Sequence, residues 1–221
     1  MTFRTLVFLL FFCGLPVISA EPQKLPKNLP YSDENTGMVF PPQLGAFQKT
    51  EIRIGGNPAV GTRIQYSGSR RACTATIYIY ALNETPRVIS KEEFERHYRQ
   101  VRQSVLNLKK LSRKVEEVES VKCSRCSGCG DNPVLREQFL LRTAGEEDYH
   151  SELLLILCGD RILKVRITVP NSEKTAVQEC GQFVERFCRL FFRNKPAVFE
   201  PYDPESGSDG ESGKTEPQPK S

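Results

Sequence analysis

The sequence predicts an α+β fold: a single antiparallel sheet of about six strands, arranged as two three-strand halves and covered by two helices. Three observations predict it. Segments that alternate apolar and polar residues occur in two groups of three, a helical apolar repeat follows each group, and turn-forming residues separate the segments. About 175 residues of this kind suit one domain.

The first group of strands is expected at 46–54, 62–67 and 72–80, where β-branched and aromatic residues alternate with polar ones. Glycine, proline, serine and asparagine at 55–58 and 67–69 mark the turns between them. The spacing predicts a three-strand antiparallel meander.

The third strand of this group has two different faces. One face is apolar and is expected to point into a core: Cys73, Ala75, Ile77 and Ile79. The other face is a row of hydroxyl and aromatic residues: Thr74, Thr76, Tyr78 and Tyr80. This row either lies under a packed helix or lines an exposed, partner-binding face, and the ease of burying aromatic rings favours the covered arrangement.

The first helix is expected to begin after Ser90, because Ser90 and Glu93 form a capping-box pattern. Its apolar residues repeat at intervals of three and four: Phe94, Tyr98, Val101, Val105 and Leu108. His97 lies beside this stripe and is interpreted as a boundary residue. A charged connector is expected at 109–122.

The second group of strands is expected at 134–142, 149–157 and 161–169, with a tight turn at Gly159-Asp160. The last strand presents an apolar face and a partly charged face that includes Lys164 and Arg166. Ser172 is expected to cap a second helix with a continuous apolar face: Val177, Cys180, Val184, Phe187, Cys188 and Phe191.

The ends of the chain have their own compositions. Residues 1–20 have the pattern of a cleavable signal peptide, with Arg4, an apolar run and a cut expected after Ala20. The apolar run is too short for a membrane span, and a lipid anchor on Cys13 is the smaller alternative. Residues 21–36 are an extended leader, 37–195 the domain, and 196–221 a disordered acidic tail.

The charges are divided unequally along the chain. The whole chain carries +4, the tail has six acids and two lysines, and removal of the tail and Arg4 leaves about plus seven on residues 21–195. This basic body fits an unknown protein partner or an anionic envelope surface. A surface of lysines and arginines with no specific role is the alternative. Nucleic acid is excluded as a partner because no binding motif occurs and the charges are spread.

Three cysteines form the one cluster with a chemical pattern: Cys123, Cys126 and Cys129, in a predicted loop at about 121–132. Two consecutive C-x-x-C spacings suit a structural disulfide, a zinc ion or a redox dithiol. Zinc would need a fourth ligand, for which Cys158, His150 and Asp131 are candidates. Arg125 and Lys122 are expected to lower the thiol pKa values. Cys180 and Cys188 are expected to be core thiols.

No motif of a hydrolase, zinc protease, nucleotide-binding loop or dinucleotide-binding enzyme occurs in the chain. Only two histidines, His97 and His150, are present, and neither has a sequence partner that indicates a triad. The sequence therefore favours a protein that is not an enzyme.

Several short segments resemble a family of uncharacterised exported bacterial proteins. They are Phe40-Pro41, Leu44-Gly45 with Phe47, the strand 74–80, and the strand around Lys164 to Arg166. The layout also resembles the PsbP-like fold of photosystem extrinsic proteins, an antiparallel sheet between helices. The resemblance implies an architecture, and it implies no function.

Together these patterns predict an exported cell-envelope protein, periplasmic or secreted, that acts as a non-enzymatic module binding a partner or a surface. The alternative is a thiol-based protein that binds a metal or exchanges disulfides through Cys123, Cys126 and Cys129. No cofactor other than zinc is suggested, and no transmembrane segment is expected after signal cleavage.

Overall fold

The computed structural model describes residues 28–68, 73–127, 132–145, 147–192 and 197–205. Eleven strands and three helices occur in this part of the chain. The strands are β1 Tyr31–Ser32, β2 Val39–Phe40, β3 Gln43–Leu44, β4 Phe47–Ile54, β5 Thr62–Ser67, β6 Thr74–Tyr80, β7 Val115–Ser127, β8 Val134–Thr143, β9 Tyr149–Cys158, β10 Arg161–Pro170 and β11 Val198–Pro201. The helices are α1 Lys91–Leu106, α2 Leu108–Leu111 and α3 Lys174–Phe191.

Nine strands form one antiparallel sheet in the order β11-β7-β8-β9-β10-β6-β5-β4-β3. β1 and β2 form a separate two-stranded sheet. The two halves of the large sheet meet where β10 pairs with β6, and this register sets Lys164 opposite Tyr78 and Arg166 opposite Thr76. Strands that are far apart in sequence are therefore neighbours at the centre of the sheet.

The predicted single sheet of about six strands covered by two helices is wrong: the fold is mostly β, with a nine-stranded sheet, a two-stranded sheet and three helices in the described residues. The six predicted strands are present as β4, β5, β6, β8, β9 and β10. The prediction missed β7 most clearly, because its residues were interpreted as a charged connector and a cysteine loop.

β7 was missed because it lies near the edge of the sheet and only two of its thirteen residues are buried. Strands at sheet edges carry charged residues that discourage pairing with other chains. Its register to β8 also shifts between Val115 and Glu117 and between Ser120 and Lys122, and each shift interrupts the alternation of faces. A period of two is therefore not visible in its sequence.

Two smaller predictions also differ from the structure. The expected tail begins at 196, yet Val198–Pro201 forms β11, which pairs with β7. α3 has Glu173 at its N-cap without a side-chain cap bond, and the Ser172 hydroxyl instead donates to Glu147 at 2.6 Å. The capping box of Ser90 and Glu93 at the start of α1 is confirmed. The predicted signal peptide lies outside the described residues.

The two long helices pack on opposite faces of the sheet. α3 covers one face, above all at β10, and buries the apolar side chains of β4, β5, β6 and β10 beneath it. α1 packs chiefly on β7 and β9 of the other face, where β8 and β9 supply a second core. On this side, β10 contributes Ile162 and β6 contributes Tyr80 to the second core, and the other described side chains of β10, β6 and β5 on the same side are mostly polar or charged.

Aromatic contacts fix the position of α3. Phe183 is fully buried, and its ring lies 5.0 Å from that of Phe47 and 5.7 Å from that of Tyr66, both in edge-on geometry. It also stacks on Phe187, with 6.4 Å between the ring centroids. Such pairs add to the stabilisation from burial alone, so Phe183 is the main anchor of this helix.

Among the described residues, no helix is both long enough and apolar enough to cross a membrane.

Phe183→Ala is expected to lower the free energy of unfolding by about 3–5 kcal/mol, because it leaves a cavity between α3 and the sheet. Leu190→Ala, on the same helix at a side chain that is 45% exposed, is the control and is expected to change it by about 0.5 kcal/mol. Urea unfolding of both variants checks this. Equal losses in the two variants would contradict the assigned role of Phe183.

Candidate functional site

A row of basic and polar side chains covers the α1 side of β10, β6 and β5. We call it the cationic face and define it by six residues: Lys164 and Arg166 on β10, Tyr78 and Thr76 on β6, and Arg63 and Gln65 on β5. Cross-strand register aligns them in two rows, Lys164–Tyr78–Arg63 and Arg166–Thr76–Gln65. Because side chains alternate along a strand, the same strands present apolar residues to α3.

Tyr78 lies at the centre of the cationic face, and two guanidinium groups act on its hydroxyl. Burial raises the pKa of Tyr78, and the positive charges of Arg63 and Arg166 lower it by less. The phenol therefore keeps its proton at physiological pH and can donate a hydrogen bond. Both arginines must lie close to the hydroxyl to exert this influence, so side chains from β10 and β5 converge over β6.

Lys164 is the third positive group of the cationic face. Its Nζ lies 4.6 Å from the centroid of the Tyr78 ring and 5.7 Å from that of Tyr80, which is the geometry of a cation–π contact. Burial, and secondarily the charge of Arg166, lower the pKa of Lys164 to about 8. The ammonium is therefore charged at neutral pH although its surroundings disfavour the charge.

Arg166 is the most strongly desolvated charge of the face. Its Nε donates to the Ser151 hydroxyl at 2.8 Å, whereas its buried Nη2 makes no hydrogen bond with any described residue. Burial lowers the pKa of Arg166 to about 10, and the nearby Tyr78 opposes this shift. A buried donor with no acceptor is costly, and none of the described side chains supplies an acceptor to this atom.

The residues that border the cationic face, Arg53, Glu51 and His97, add little net charge to it. On β4, Arg53 pairs with Glu51 at 2.7 Å, so this pair adds no net charge. On the α1 side, His97 Nε2 lies 2.6 Å from the Tyr80 hydroxyl. Burial, and then the charge of Lys164, lower the pKa of His97 to about 4, so the imidazole is neutral at physiological pH. The boundary position predicted for His97 agrees with its half-buried environment.

Two buried acids elsewhere in the fold, Glu137 and Glu152, have basic partners. On the α1 side, Glu137 accepts from Tyr98 at 2.6 Å and from Arg102 at 2.9 Å. On the α3 side, Glu152 accepts two bonds from Arg136, each at 2.9 Å. These networks are internally satisfied and therefore structural. By contrast, the β10 arginine of the cationic face forms no ion pair with a carboxylate of the described residues.

One group of possible metal ligands occurs in the described residues: His150, Glu152 and Cys180, whose donor atoms all lie within 4.8 Å of one another. Here the Arg136 guanidinium already contacts both oxygens of Glu152. A metal ion bound at this carboxylate would meet that positive charge at close range. The residues therefore fit a hydrogen-bonded ion pair better than a metal site.

The three predicted thiol ligands are only partly described. Cys123 and Cys126 both lie in β7, where a loop was predicted. Cys123 packs against the core under α1, and Cys126 against the core under α3, because residues three apart on a strand point to opposite faces. Cys129 and the candidate ligand Asp131 lie outside the described residues. A site formed by all three thiols stays a prediction.

The other predicted partners of these thiols are distributed over the sheet. A disulfide from the cluster to Cys73 or Cys158 is the structural alternative that the sequence leaves open, and neither of these two cysteines is in a disulfide. His150 lies beside Cys180, on the α3 side of the sheet, whereas Cys123 packs on the α1 side. A pairing of Cys126 within the cluster stays a prediction. Cys180 and Cys188 are buried free thiols, as predicted for core positions.

The expected activation of Cys123 by neighbouring basic residues is not observed. Burial is the main effect on this thiol and raises its pKa. The guanidinium of Arg125 is bound elsewhere, 2.6 Å from Glu95 and 4.3 Å from the centroid of the Tyr202 ring. Cys123 therefore stays protonated at neutral pH, a state that is poor for disulfide exchange.

The sequence indicated both parts of the cationic face without connecting them. Lys164 and Arg166 appeared as the charged face of one strand, and Tyr78 within a hydroxyl and aromatic row of another. The row was expected under a helix. Tyr80 does contact His97 of α1, whereas Tyr78 is half-buried next to Lys164 of the neighbouring strand. Arg63 was missed altogether. The pattern of β5, in which Arg63 and Gln65 alternate with buried residues, is the signal that could have located Arg63.

No protein-family model matches the chain, and no curated protein matches it. A search of solved structures finds partial similarity to two proteins, among others. Cyanobacterial PsbP (CyanoP) from Synechocystis sp. PCC 6803 is 10% identical, with 86% of this chain and 98% of that chain covered and a TM-score of 0.48. The Saccharomyces cerevisiae Ran-binding protein Mog1p is 13% identical, with 71% and 83% covered and a TM-score of 0.36.

The first of the two is a PsbP protein, the group whose layout the sequence was found to resemble. At these identities and TM-scores, nothing about ligands or partners follows for this chain. The resemblance to a family of exported bacterial proteins stays a prediction, since no family model matches.

The low pKa of Lys164 predicts a rise in stability at alkaline pH. The folded-state value of about 8 lies below the ordinary 10.5, so the unfolded chain binds more protons in that window and stability increases with pH across it. The gain assigned to Lys164 between pH 7 and 9.5 is about 2 kcal/mol. Lys164→Met is expected to lose this component, whereas the exposed control Lys110→Met keeps it.

Chemical unfolding of the three proteins at both pH values measures the effect. Identical pH dependence in the wild type and in Lys164→Met would contradict the environment described for this ammonium.

Proposed function

We propose that this chain is a non-enzymatic binding module that engages an anionic partner through the cationic face. The observation that carries the proposal is the grouping of three basic residues at Tyr78: Lys164 lies over its ring, and Arg63 and Arg166 act on its hydroxyl. The buried Arg166 Nη2 has no hydrogen-bond partner among the described residues. In the cell, we place the module in the envelope, periplasmic or secreted, on the basis of the signal-peptide pattern at 1–20.

The chemistry of the groups supports binding. The two guanidiniums and the ammonium are fixed positive donors, and the phenol is a neutral donor because burial raises the pKa of Tyr78. Such a set holds an anion in place by charge and hydrogen bonds. The adjacent His97 is neutral, so it adds no further charge at the border of the site.

Desolvation increases the strength of this interaction. An anion placed among partly buried cations meets a lower effective dielectric than one on an open surface, so the attraction is larger and less screened by salt. Its arrival also places a negative charge beside the buried Lys164 and Arg166, and offsets part of the cost of their burial. Binding and folding stability are therefore coupled at this face.

The partner is an acidic protein or an anionic envelope surface. The basic body of the chain, about plus seven over residues 21–195, brings such partners near by long-range attraction. The cationic face then provides a local contact of higher charge density. The long-range attraction is therefore general, whereas the contact at the cationic face has a defined position.

The test compares two double variants that remove the same charge. Arg63→Gln with Arg166→Gln alters the cationic face, whereas Lys109→Gln with Arg113→Gln alters exposed positions outside it. Retention of residues 21–221 on immobilised polyglutamate and on phosphatidylglycerol vesicles is measured at low and high salt. The first variant is expected to bind at least tenfold more weakly than the wild type, and the second within about twofold, on the scale of specific charge contacts.

Equal weakening of both variants would show that net charge alone drives retention, and would refute a defined binding face. Absence of any retention of the wild type at low salt, on polymer and vesicle alike, would refute the proposal as a whole.

A further inference from the structure

We propose that β4 is a dimerisation edge: its residues 50–54 pair with the same residues of a second copy of this chain, antiparallel and about a two-fold axis at Ile52. The large sheets of the two copies then form one continuous sheet. This inference concerns the end of the sheet and does not depend on the proposed function of the cationic face.

The outer edge of β4 is only partly covered by the chain itself. β3 pairs with Phe47 and Gln48 alone, and the Lys49 N–H donates to the Pro42 carbonyl at 2.8 Å. From residue 50 to residue 54, β4 pairs with β5 on one side and with no strand of the described residues on the other. Five residues of this strand therefore form an open edge.

The backbone groups of this edge point outward at defined residues. Directly after β4, the Gly55 N–H donates to the Gly61 carbonyl at 2.7 Å, on the side of β5. Because successive residues of a strand turn their backbone groups to opposite sides, Arg53 also faces β5, whereas Ile52 and Ile54 face away from it. Among the described residues, none supplies a backbone partner to these two isoleucines on the outer side. Such a row of backbone groups is a template for another strand.

The charged side chains of the edge are complementary to those of a second copy. Glu51 and Arg53 lie on either side of Ile52 and point to the same face of the sheet. In an antiparallel pair centred on Ile52, Glu51 lies directly opposite the partner's Arg53, and Arg53 lies opposite the partner's Glu51. Two cross-strand pairs of opposite charge therefore form together, and each such pair stabilises the sheet.

The same residues select one register. Ile52 and Ile54 carry the outward backbone groups, so the competing registers differ from the proposed one by two residues. A slip in one direction places Glu51 opposite the partner's Glu51, and a slip in the other places Arg53 opposite the partner's Arg53. Like charges directly opposite one another are destabilising. The pair centred on Ile52 is therefore favoured over its neighbours.

The existing contact between Arg53 and Glu51 within one chain does not prevent this pairing. Its atoms lie 2.7 Å apart, and the side chains are 42% and 32% exposed, which is the setting of a weak surface ion pair. Exchange for contacts between chains therefore costs little. The register shift between Lys49 and Glu51 limits the open segment, so the contact area is small and we expect a weak dimer.

Association through β4 ends at the dimer. The contact is isologous, because each copy contributes the same strand, and such an interface closes on itself. The other end of the large sheet is β11, which has four residues and includes Pro201. Proline has no N–H to donate to a neighbouring strand. Filaments are therefore not expected from this sheet.

Sedimentation velocity of residues 21–221, at low salt and up to millimolar concentration, measures the association. The wild type is expected to change from monomer to dimer as its concentration rises. Glu51→Arg and Arg53→Glu are each expected to weaken dimerisation about tenfold or more, because each substitution places like charges in both cross-strand pairs. An equimolar mixture of the two variants is expected to dimerise about as well as the wild type, because both pairs again join opposite charges.

Two further variants separate the edge from general effects of charge and stability. Glu185→Arg is the matched control, because it breaks an exposed ion pair to Arg189 on α3, and it is expected to leave dimerisation unchanged. Ile54→Pro removes an outward N–H and keeps the bonds to β5, so it is expected to weaken dimerisation while the melting temperature stays close to that of the wild type.

Amide hydrogen exchange locates the contact. Exchange at Ile52 is expected to slow as the protein concentration rises, whereas exchange at exposed amides of α3 stays constant. A wild type that remains monomeric, a mixture of the two charge variants that fails to associate, or an equal loss in Glu185→Arg would overturn the inference. If a single charge variant does not fold, the double variant Glu51→Arg with Arg53→Glu decides: it keeps opposite charges in every pair, and a loss of dimerisation there would also overturn the inference.

Discussion

The antiparallel register between β6 and β10 is the constraint on which the rest of this structure depends. It joins the two halves of the sheet and pairs Lys164 with Tyr78 and Arg166 with Thr76. A slip of one residue would exchange the two faces of a strand, and would turn these basic side chains into the apolar core under α3. Ile77 and Val165, which face each other across the same pair of strands, are buried in that core. Burial of the apolar side chains of β6 and β10 under α3 therefore fixes the basic side chains on the opposite face of the sheet.

Buried charged side chains have two kinds of surroundings in this protein. Glu137 and Glu152 are fully desolvated, and each is compensated by an arginine and by further hydrogen bonds. Lys164 and Arg166 are desolvated beside other cations, and their pKa values fall as a result. The first arrangement stabilises one packing of the helices. The second leaves free energy that an incoming anion can recover, which is the physical basis for assigning binding to this face.

Most of the regular elements were accessible from sequence because their patterns repeat. β5 was expected at 62–67 and occurs as Thr62–Ser67, and the capping box at Ser90 was recognised from two residues. β7 and β11 were not accessible in the same way. Only two residues of β7 and none of β11 are buried, so burial imposes no regular alternation on these strands. Register shifts in β7 also interrupt the alternation of its faces. The cysteines of β7 accordingly suggested a loop, whereas they lie in a strand.

The sequence by itself determined which residues of each strand point the same way, because side-chain direction follows from the local backbone. It therefore separated Lys164 and Arg166 from their buried neighbours, and it assigned Cys180 and Cys188 to the core. Only the tertiary structure decided that β10 lies beside β6 and β5, which brings Arg63, Tyr78 and Arg166 together. Strand order depends on the packing of α1 and α3 over distant segments. Neither periodicity nor local propensity contains that information.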